Sequence, residues 1–498
     1  MSRKPKKTPH NHTGAIVVMI LLMLVFLAGA AFMIKLCLDI PNQDVEIRPS
    51  IGTVDLPTAP PVGETEPPTE TTVPTPVPEH VVSTATIVST GDILMHEPVI
   101  NTGKTGSGYD FESIFRYITE DVTAADYAVA NLEVTLAGTE LGYPYKGYPH
   151  FNCPDAIVDG AKDAGFDMLL TANNHSYDTT LTGFKRTLEV VRGSGMETLG
   201  TYASADETKY TIKEINGINI GMLCYTYATG VVEGRPRLND NAAIPEAGLC
   251  NYFTYNNLDA FYTELEGYLD AMEADGAEAT MLYIHWGNEY QLQANDTQKQ
   301  MAQKICDLGV DVIIGGHPHV VQPMDLLEST VDPDHKTVCL YSMGNAVSNQ
   351  RQGNLTSIST AHTEDGVLFS VTFSKYSDGT VYVESTDLLP VWVYRRTDAT
   401  GNEYNMLPLH IDEADSWTED FNMNEHIVTA AKNSHARTMA IVGESLEECQ
   451  TYLKESYDAR EQYYYDLAFY PEKFAAVATE SPVKPVTEAA AEATAAVN

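Results

Sequence analysis

The chain predicts an α/β layered domain, and three observations carry that prediction. Apolar strand-like runs alternate with helix-periodic stretches from about residue 82 onward. Several runs end abruptly in turns bearing histidine, asparagine or carboxylate side chains, the usual position for a ligand site in open α/β sheets. At 498 residues the chain is long enough to bury a sizeable core.

In chain order, the strand-like runs are 84–90, 127–132, 167–171, 218–225, 280–285, 310–314 and 337–342. Helical periodicity occupies 155–164, 184–194, 258–274 and 297–308. The later runs 366–373 and 380–386 follow one another without a helix, which predicts antiparallel pairing. Beyond about residue 415 the pattern turns helical. One helix is expected over 424–441, stopped at Gly443, and a second opens at the capping box Ser445 to Glu448 and runs toward Tyr465. Residues 415–479 read as a helical extension packed on the core or a small separate domain, and 480–498 as a disordered tail rich in Ala and Glu.

The amino end has its own composition. Residues 1–13 carry Arg3, Lys4, Lys6 and Lys7 and no acid, and 14–34 contain no charge until Lys35. At helical rise that span covers roughly 31 Å, about one hydrocarbon core. A transmembrane anchor over 14–36 with its amino end cytoplasmic and the main domain outside follows from the basic flank; a cleaved signal peptide is the alternative. Residues 37–81 are rich in Pro and Thr and form a stalk with a reach on the order of 120 Å. The folded domain is therefore placed at 82–414. Net charge is −39, from 30 basic and 69 acidic residues, which argues against nucleic acid as a partner. The seven cysteines make no disulfide scaffold; Cys153 and Cys250, in loop contexts, either pair or stay free.

Five segments share one design, an apolar run followed by metal-competent side chains. They end in Gly91-Asp92, Asn131-Leu132-Glu133, Asn173-Asn174-His175, His285-Trp286-Gly287-Asn288-Glu289 and Gly316-His317-Pro318-His319. Taken singly, each has a bland reading as a cap, a rim charge or a turn. Five at the same edge of one sheet architecture point to a site. Carboxylate, amide oxygen and imidazole together suit divalent cations, and an uncoordinated histidine beside them suits proton transfer.

The ordered set Gly91-Asp92, Asn131 to Glu133, Asn173 to His175, His285 to Tyr290, Gly316 to Gln322 and Ser342 to Asn345 resembles the CapA family of poly-γ-glutamate capsule synthesis proteins, whose domain is similar to calcineurin-like metallophosphoesterases. The resemblance covers roughly residues 84–389. It implies a four-layer αββα sandwich with Asp92, Glu133, Asn174, His285, His317 and His319 as ligands of one or two divalent ions, Mn, Zn or Fe. It also implies His175 as general acid or substrate-orienting group. The pattern departs at Leu94, where phosphoesterases place a histidine, and His96 is near but not equivalent. Lys146, His150 and Arg351 are candidate substrate contacts near the site loops. Trp286 and Tyr290 are read as packing or stacking groups, Ser342 and Asn345 as hydrogen-bonding supports of the ligands, and Asp178 as a loop-shaping residue. The implied role is capsule biosynthesis, export or anchoring beside a polyglutamate synthase or export complex, with an anionic polymer or cell-wall substrate. A non-catalytic accessory subunit and a general extracellular phosphoesterase are the rivals.

Overall fold

The computed structural model describes residues 80–470, apart from positions 141, 240, 356–357, 399–400 and 422. The anchor, the stalk and the tail expected from sequence lie outside these residues. Among the described residues, no helix is long and apolar enough to cross a membrane.

Two mixed sheets face one another. In the first, Val81–Ile93, Tyr127–Leu132, Met168–Leu170 and Glu197–Leu199 run parallel in that order. On the other side of Val81–Ile93, the strands Asp365–Tyr376, Val381–Asp398 and Gly401–Pro408 continue antiparallel. The second sheet centres on the parallel strands Ile218–Tyr227, Ala279–His285, Val312–Gly316 and Lys336–Leu340, edged by the antiparallel Thr211–Ile215 and Met324–Glu328. Parallel neighbours joined through helices follow from the strand–helix alternation of the sequence.

Side-chain alternation along each strand builds the layers. Met281 and Tyr283 join Ile87, Val129, Val312 and Ile314 in the apolar cluster between the sheets. Leu282, Ile284 and Ile313 point the other way, onto the helices Leu258–Ala274 and Asp296–Asp307 through Phe261, Leu265, Met301 and Ile305. The outer face of the first sheet, with Ala128, Ala130 and Leu132, packs on Ile114, Phe115, Ile157 and Ala161. Each fully buried Leu, Ile, Met or Phe among these contributes about 1.5–3 kcal/mol. Ser89 and Tyr283 hydroxyls meet at 2.9 Å across the interior, tying the sheets together.

The carboxyl end departs from the sequence expectation. Glu425–Phe469 is one continuous helix, capped at its start by the Asn424 side chain. Gly443 and Ser445 lie inside it, and the Ser445 hydroxyl donates to the Val442 carbonyl while taking the Met324 N–H. Packing overrides the local stop signal: Val442, Leu446, Cys449 and Leu453 all enter the inter-sheet cluster. Buried Asp365 fastens the same helix by accepting from the Ser434 hydroxyl and from Arg437 at 2.9 and 2.7 Å. Cys153 and Cys250 do not pair; they belong to separate apolar clusters and both thiols are free.

Candidate metal centre

The site is assembled from strand ends. Asp92 is the penultimate residue of Val81–Ile93, and its N–H donates to the Gly344 carbonyl at 3.1 Å. A Cβ at Gly91 would stand 1.9 Å from that same carbonyl oxygen, so only glycine allows the two backbones to approach. The Asp92 carboxylate is wholly buried. Asn131 donates to its Oδ1 at 2.7 Å, and His319 Nδ1 stands 3.0 Å from its Oδ2. Asn131 is itself held by Asn173, which donates to the Asn131 side-chain oxygen at 3.1 Å and to the Leu132 carbonyl at 2.9 Å. A chain of amides thus orients the carboxylate.

Glu133 follows Tyr127–Leu132 and is wholly buried, yet neither of its carboxylate oxygens has a hydrogen-bond partner. His285 Nε2 lies 3.4 Å and His319 Nε2 3.8 Å from its Oε1. His285 Nε2 also lies 2.8 Å from Asn174 Oδ1. His317 and His319 both adopt left-handed backbone, with φ of 95° and 54° on either side of Pro318. That conformation is costly for a residue with a Cβ and is kept where function over-determines it. His317 Nδ1 is a second buried atom without a partner.

Two sets of donor atoms follow, Asp92 with Glu133 and His285, and Glu133 with His317 and His319; in each, the atoms lie within 4.8 Å of one another. Glu133 is common to both. An isolated buried carboxylate costs several kcal/mol unless something positive answers it. The orphaned Glu133 oxygens and His317 nitrogen are the groups a divalent cation would satisfy, and the mix of carboxylate, amide and imidazole fits such an ion.

Electrostatics agree. Burial would raise the Asp92 carboxyl, but the hydrogen bond and charge of His319 outweigh it and hold the group below its usual range. Burial would lower His319; Glu133 and Asp92 reverse this and push it up to about 9. Burial and the neighbouring imidazoles drive His317 well below its ordinary value, leaving a neutral ring with a free lone pair.

His175 stands beside this cluster. Its Nδ1 is 2.7 Å from Asp178 Oδ2, and Phe151 N–H donates to the same carboxylate oxygen at 2.7 Å. Burial disfavours the imidazolium, but Asp178 outweighs burial and raises the His175 pKa. Asn239 Nδ2 reaches both His175 Nδ1 and Asp178 Oδ1 at 3.3 Å, and Asn241 donates to Asp178 Oδ1 at 3.3 Å. Neither asparagine is singled out by the sequence, because they sit in a loop with no strand-end pattern.

The remaining candidates divide. His150 Nε2 lies 3.1 Å from Asn241 Oδ1 and so joins the rim of the His175–Asp178 pair. Lys146 pairs with Asn152 through its backbone and is only half-buried. Arg351 is not available as an anion contact: its guanidinium is bonded to Glu364 and to the Val393 carbonyl. Trp286 is wholly buried and donates to the Tyr341 carbonyl at 3.0 Å, which makes it packing. Tyr290 packs beside His319, its ring centroid 6.3 Å from the imidazole. Asn345 donates to the His319 carbonyl at 3.2 Å, supporting the ligand loop through its backbone, and Ser342 accepts from Gly344 N–H at 3.3 Å. Leu94 is buried in the outer apolar cluster. His96 belongs to neither donor set; its Nδ1 accepts from Asn349 N–H at 3.2 Å and its ring meets Phe151 edge-on.

Fold and site together define a mixed α/β sandwich protein with a buried histidine–carboxylate centre able to hold a metal ion. The family model of the bacterial capsule synthesis protein PGA_cap matches residues 86–350, more than half of the chain, and the chain belongs to that family. Among curated relatives it is 28% identical over 263 residues to the PGA biosynthesis protein CapA of Bacillus subtilis (strain 168), covering 52% of this chain and 62% of the relative. It is 25% identical over 270 residues to the capsule biosynthesis protein CapA of Bacillus anthracis, covering 53% and 60%. The match therefore spans less than two thirds of either relative. A solved sulfate thiohydrolase SoxB from Thermus thermophilus aligns with a TM-score of 0.31 at 14% identity, over 66% of this chain and 46% of that one. A likeness that slight carries no weight for fold or activity.

Proposed function

We propose that this protein acts in making, exporting or anchoring a capsule polymer of the poly-γ-glutamate type, through a cation-dependent hydrolase site of metallophosphoesterase character. The observation that carries the reading is Glu133, a buried carboxylate with two unanswered oxygens set among three imidazoles, a second carboxylate and an amide. Asp92, Glu133, Asn174, His285, His317 and His319 would hold one or two divalent ions, with Glu133 shared between them. The chemistry such ions supply is Lewis-acid polarisation of an amide or phosphoester.

The chain's own residues do the rest. Asn131 and Asn173 aim the Asp92 carboxylate. Asp178 holds His175 Nδ1, which leaves Nε2 as the nitrogen that gives a proton to the departing amine or alcohol. His150 and Lys146 are the proposed substrate contacts at the rim. The basic flank and uncharged span at 14–36 support a single-pass anchor with the domain outside the cell, beside a polymer synthase or export complex.

One observation favours a second reading, an accessory subunit whose cations serve structure or binding. The buried apolar Leu94 occupies the place where phosphoesterases carry a histidine, leaving that position an imidazole short. Metal stoichiometry of the purified protein, with turnover of phosphoesters and γ-glutamyl peptides, decides between them. Metal uptake with turnover that vanishes in His175→Ala supports the hydrolase; uptake without turnover, with capsule lost in His317→Ala cells, supports the accessory role. Absence of metal uptake refutes both.

A further inference from the structure

A cleft of about 710 Å³ opens directly beside the candidate centre, and His317 is part of its wall. Its other lining residues include Tyr227, Thr229, Tyr255, Asn256, Asn288 and Glu289. None of the described residues lining it is a lysine or arginine, and Glu289 contributes a carboxylate. A chain of glutamates entering here would meet no countercharge except at the metal centre itself, and one direct repulsion.

The lining suits a different chemistry. Amide and hydroxyl side chains both donate and accept hydrogen bonds, as do the hydroxyls of a sugar. Glu289 adds an acceptor for paired hydroxyls. Tyr227 and Tyr255 stand with ring centroids 6.3 Å apart and tilted by 30°. That spacing is too tight for a flat ring to slot between them, which requires about 7 Å at two van der Waals contacts of roughly 3.5 Å each. They line the wall as two neighbouring aromatic rings instead, a surface against which the C–H face of a pyranose can rest. Tyr255 is 39% exposed and its hydroxyl accepts from Gly287 N–H at 2.8 Å, so the surface is both open and held in place.

We infer that this cleft binds an uncharged saccharide unit, presenting it to the centre at His317, rather than a stretch of polyanion. The inference deepens the proposed function and rests on it for the meaning of the neighbouring centre, though the binding itself does not require metal.

The test uses the full-length protein with and without chelator, on an array of neutral oligosaccharides and their uronic-acid counterparts, with a γ-linked glutamate decamer as the polyanion probe. Affinities for the best binder follow by calorimetry. Binding of a neutral oligosaccharide is expected, persisting in chelator, about tenfold or more weaker in Tyr255→Ala and in the cleft-filling Asn256→Trp, with the melting temperature unchanged in Asn256→Trp. Retention of binding in Asn256→Trp, preference for the acidic members, displacement by the decamer, or no binding at all overturns the inference. A failure here leaves metal uptake intact, whereas a failure of the centre leaves saccharide binding intact, so the two are told apart.

Discussion

Replacing Glu133 by glutamine changes one oxygen for an amide nitrogen and removes one charge, which makes it the sharpest probe of the centre. In the cation-free protein the cluster holds two carboxylates, and His319 is raised to about 9 and so is protonated at neutral pH, while His317 is neutral. Removing the Glu133 charge takes away one buried carboxylate together with the largest influence holding His319 up, and leaves Asp92 and His319 in contact at 3.0 Å. The metal-free variant should therefore be no less stable than wild type. Cation binding should respond in the opposite way. Two unit charges about 4 Å apart in an effective dielectric near 20 interact by about 4 kcal/mol, and a divalent ion doubles that, so affinity should fall by about 10³-fold or more. In wild type, cation at a hundred times its dissociation constant adds about 2.7 kcal/mol of stability, and this increment should vanish in Glu133→Gln. Calorimetric melting with chelator and with Mn²⁺ or Zn²⁺ reads both quantities. A variant that loses stability in chelator yet keeps its full response to metal would refute the reasoning, because Glu133 would then be serving the fold.

Three further outcomes follow from the same geometry. Asp178→Asn removes the group that raises His175; the stability gap to wild type should be fully present below the ordinary histidine value of 6.5 and fade as pH rises through the raised one, as read by denaturant melts across pH. The His175 imidazole titration followed by NMR should move to lower pH in the same variant. Gly91→Ala would force a Cβ to 1.9 Å from the Gly344 carbonyl, and urea unfolding should register a loss of about 1–3 kcal/mol or more together with weaker metal binding, since Asp92 is the next residue. Arg437→Ala strips the buried Asp365 of its guanidinium partner and should cost about 3–5 kcal/mol, with hydrogen exchange showing early opening of the helix Glu425–Phe469.

Strand and helix order was legible because period-2 and period-3.6 patterns are local: Tyr127–Leu132 and Leu258–Ala274 emerge with the boundaries expected of them. The strand-end residues were legible for the same reason, since parallel sheets carry their ligands on the turns that follow. What the chain alone determined is therefore which strand ends carry metal-competent side chains, while the set Asp92, Glu133, Asn174, His285, His317 and His319 came from the resemblance those motifs carry. Only tertiary structure decided how they gather: that Glu133 is left without hydrogen-bond partners, that Arg351 is spent on Glu364, and that Asn239 reaches His175 and Asn241 reaches Asp178 from a distant loop. It also decided that the helix at the carboxyl end runs through Gly443, because burial of Val442 and Leu446 between the sheets outweighs a local stop signal worth about 1 kcal/mol. Local patterns set which elements form, whereas partners depend on contacts between separate segments, 64 positions apart for Asn239 and His175, and no spacing in the sequence records those.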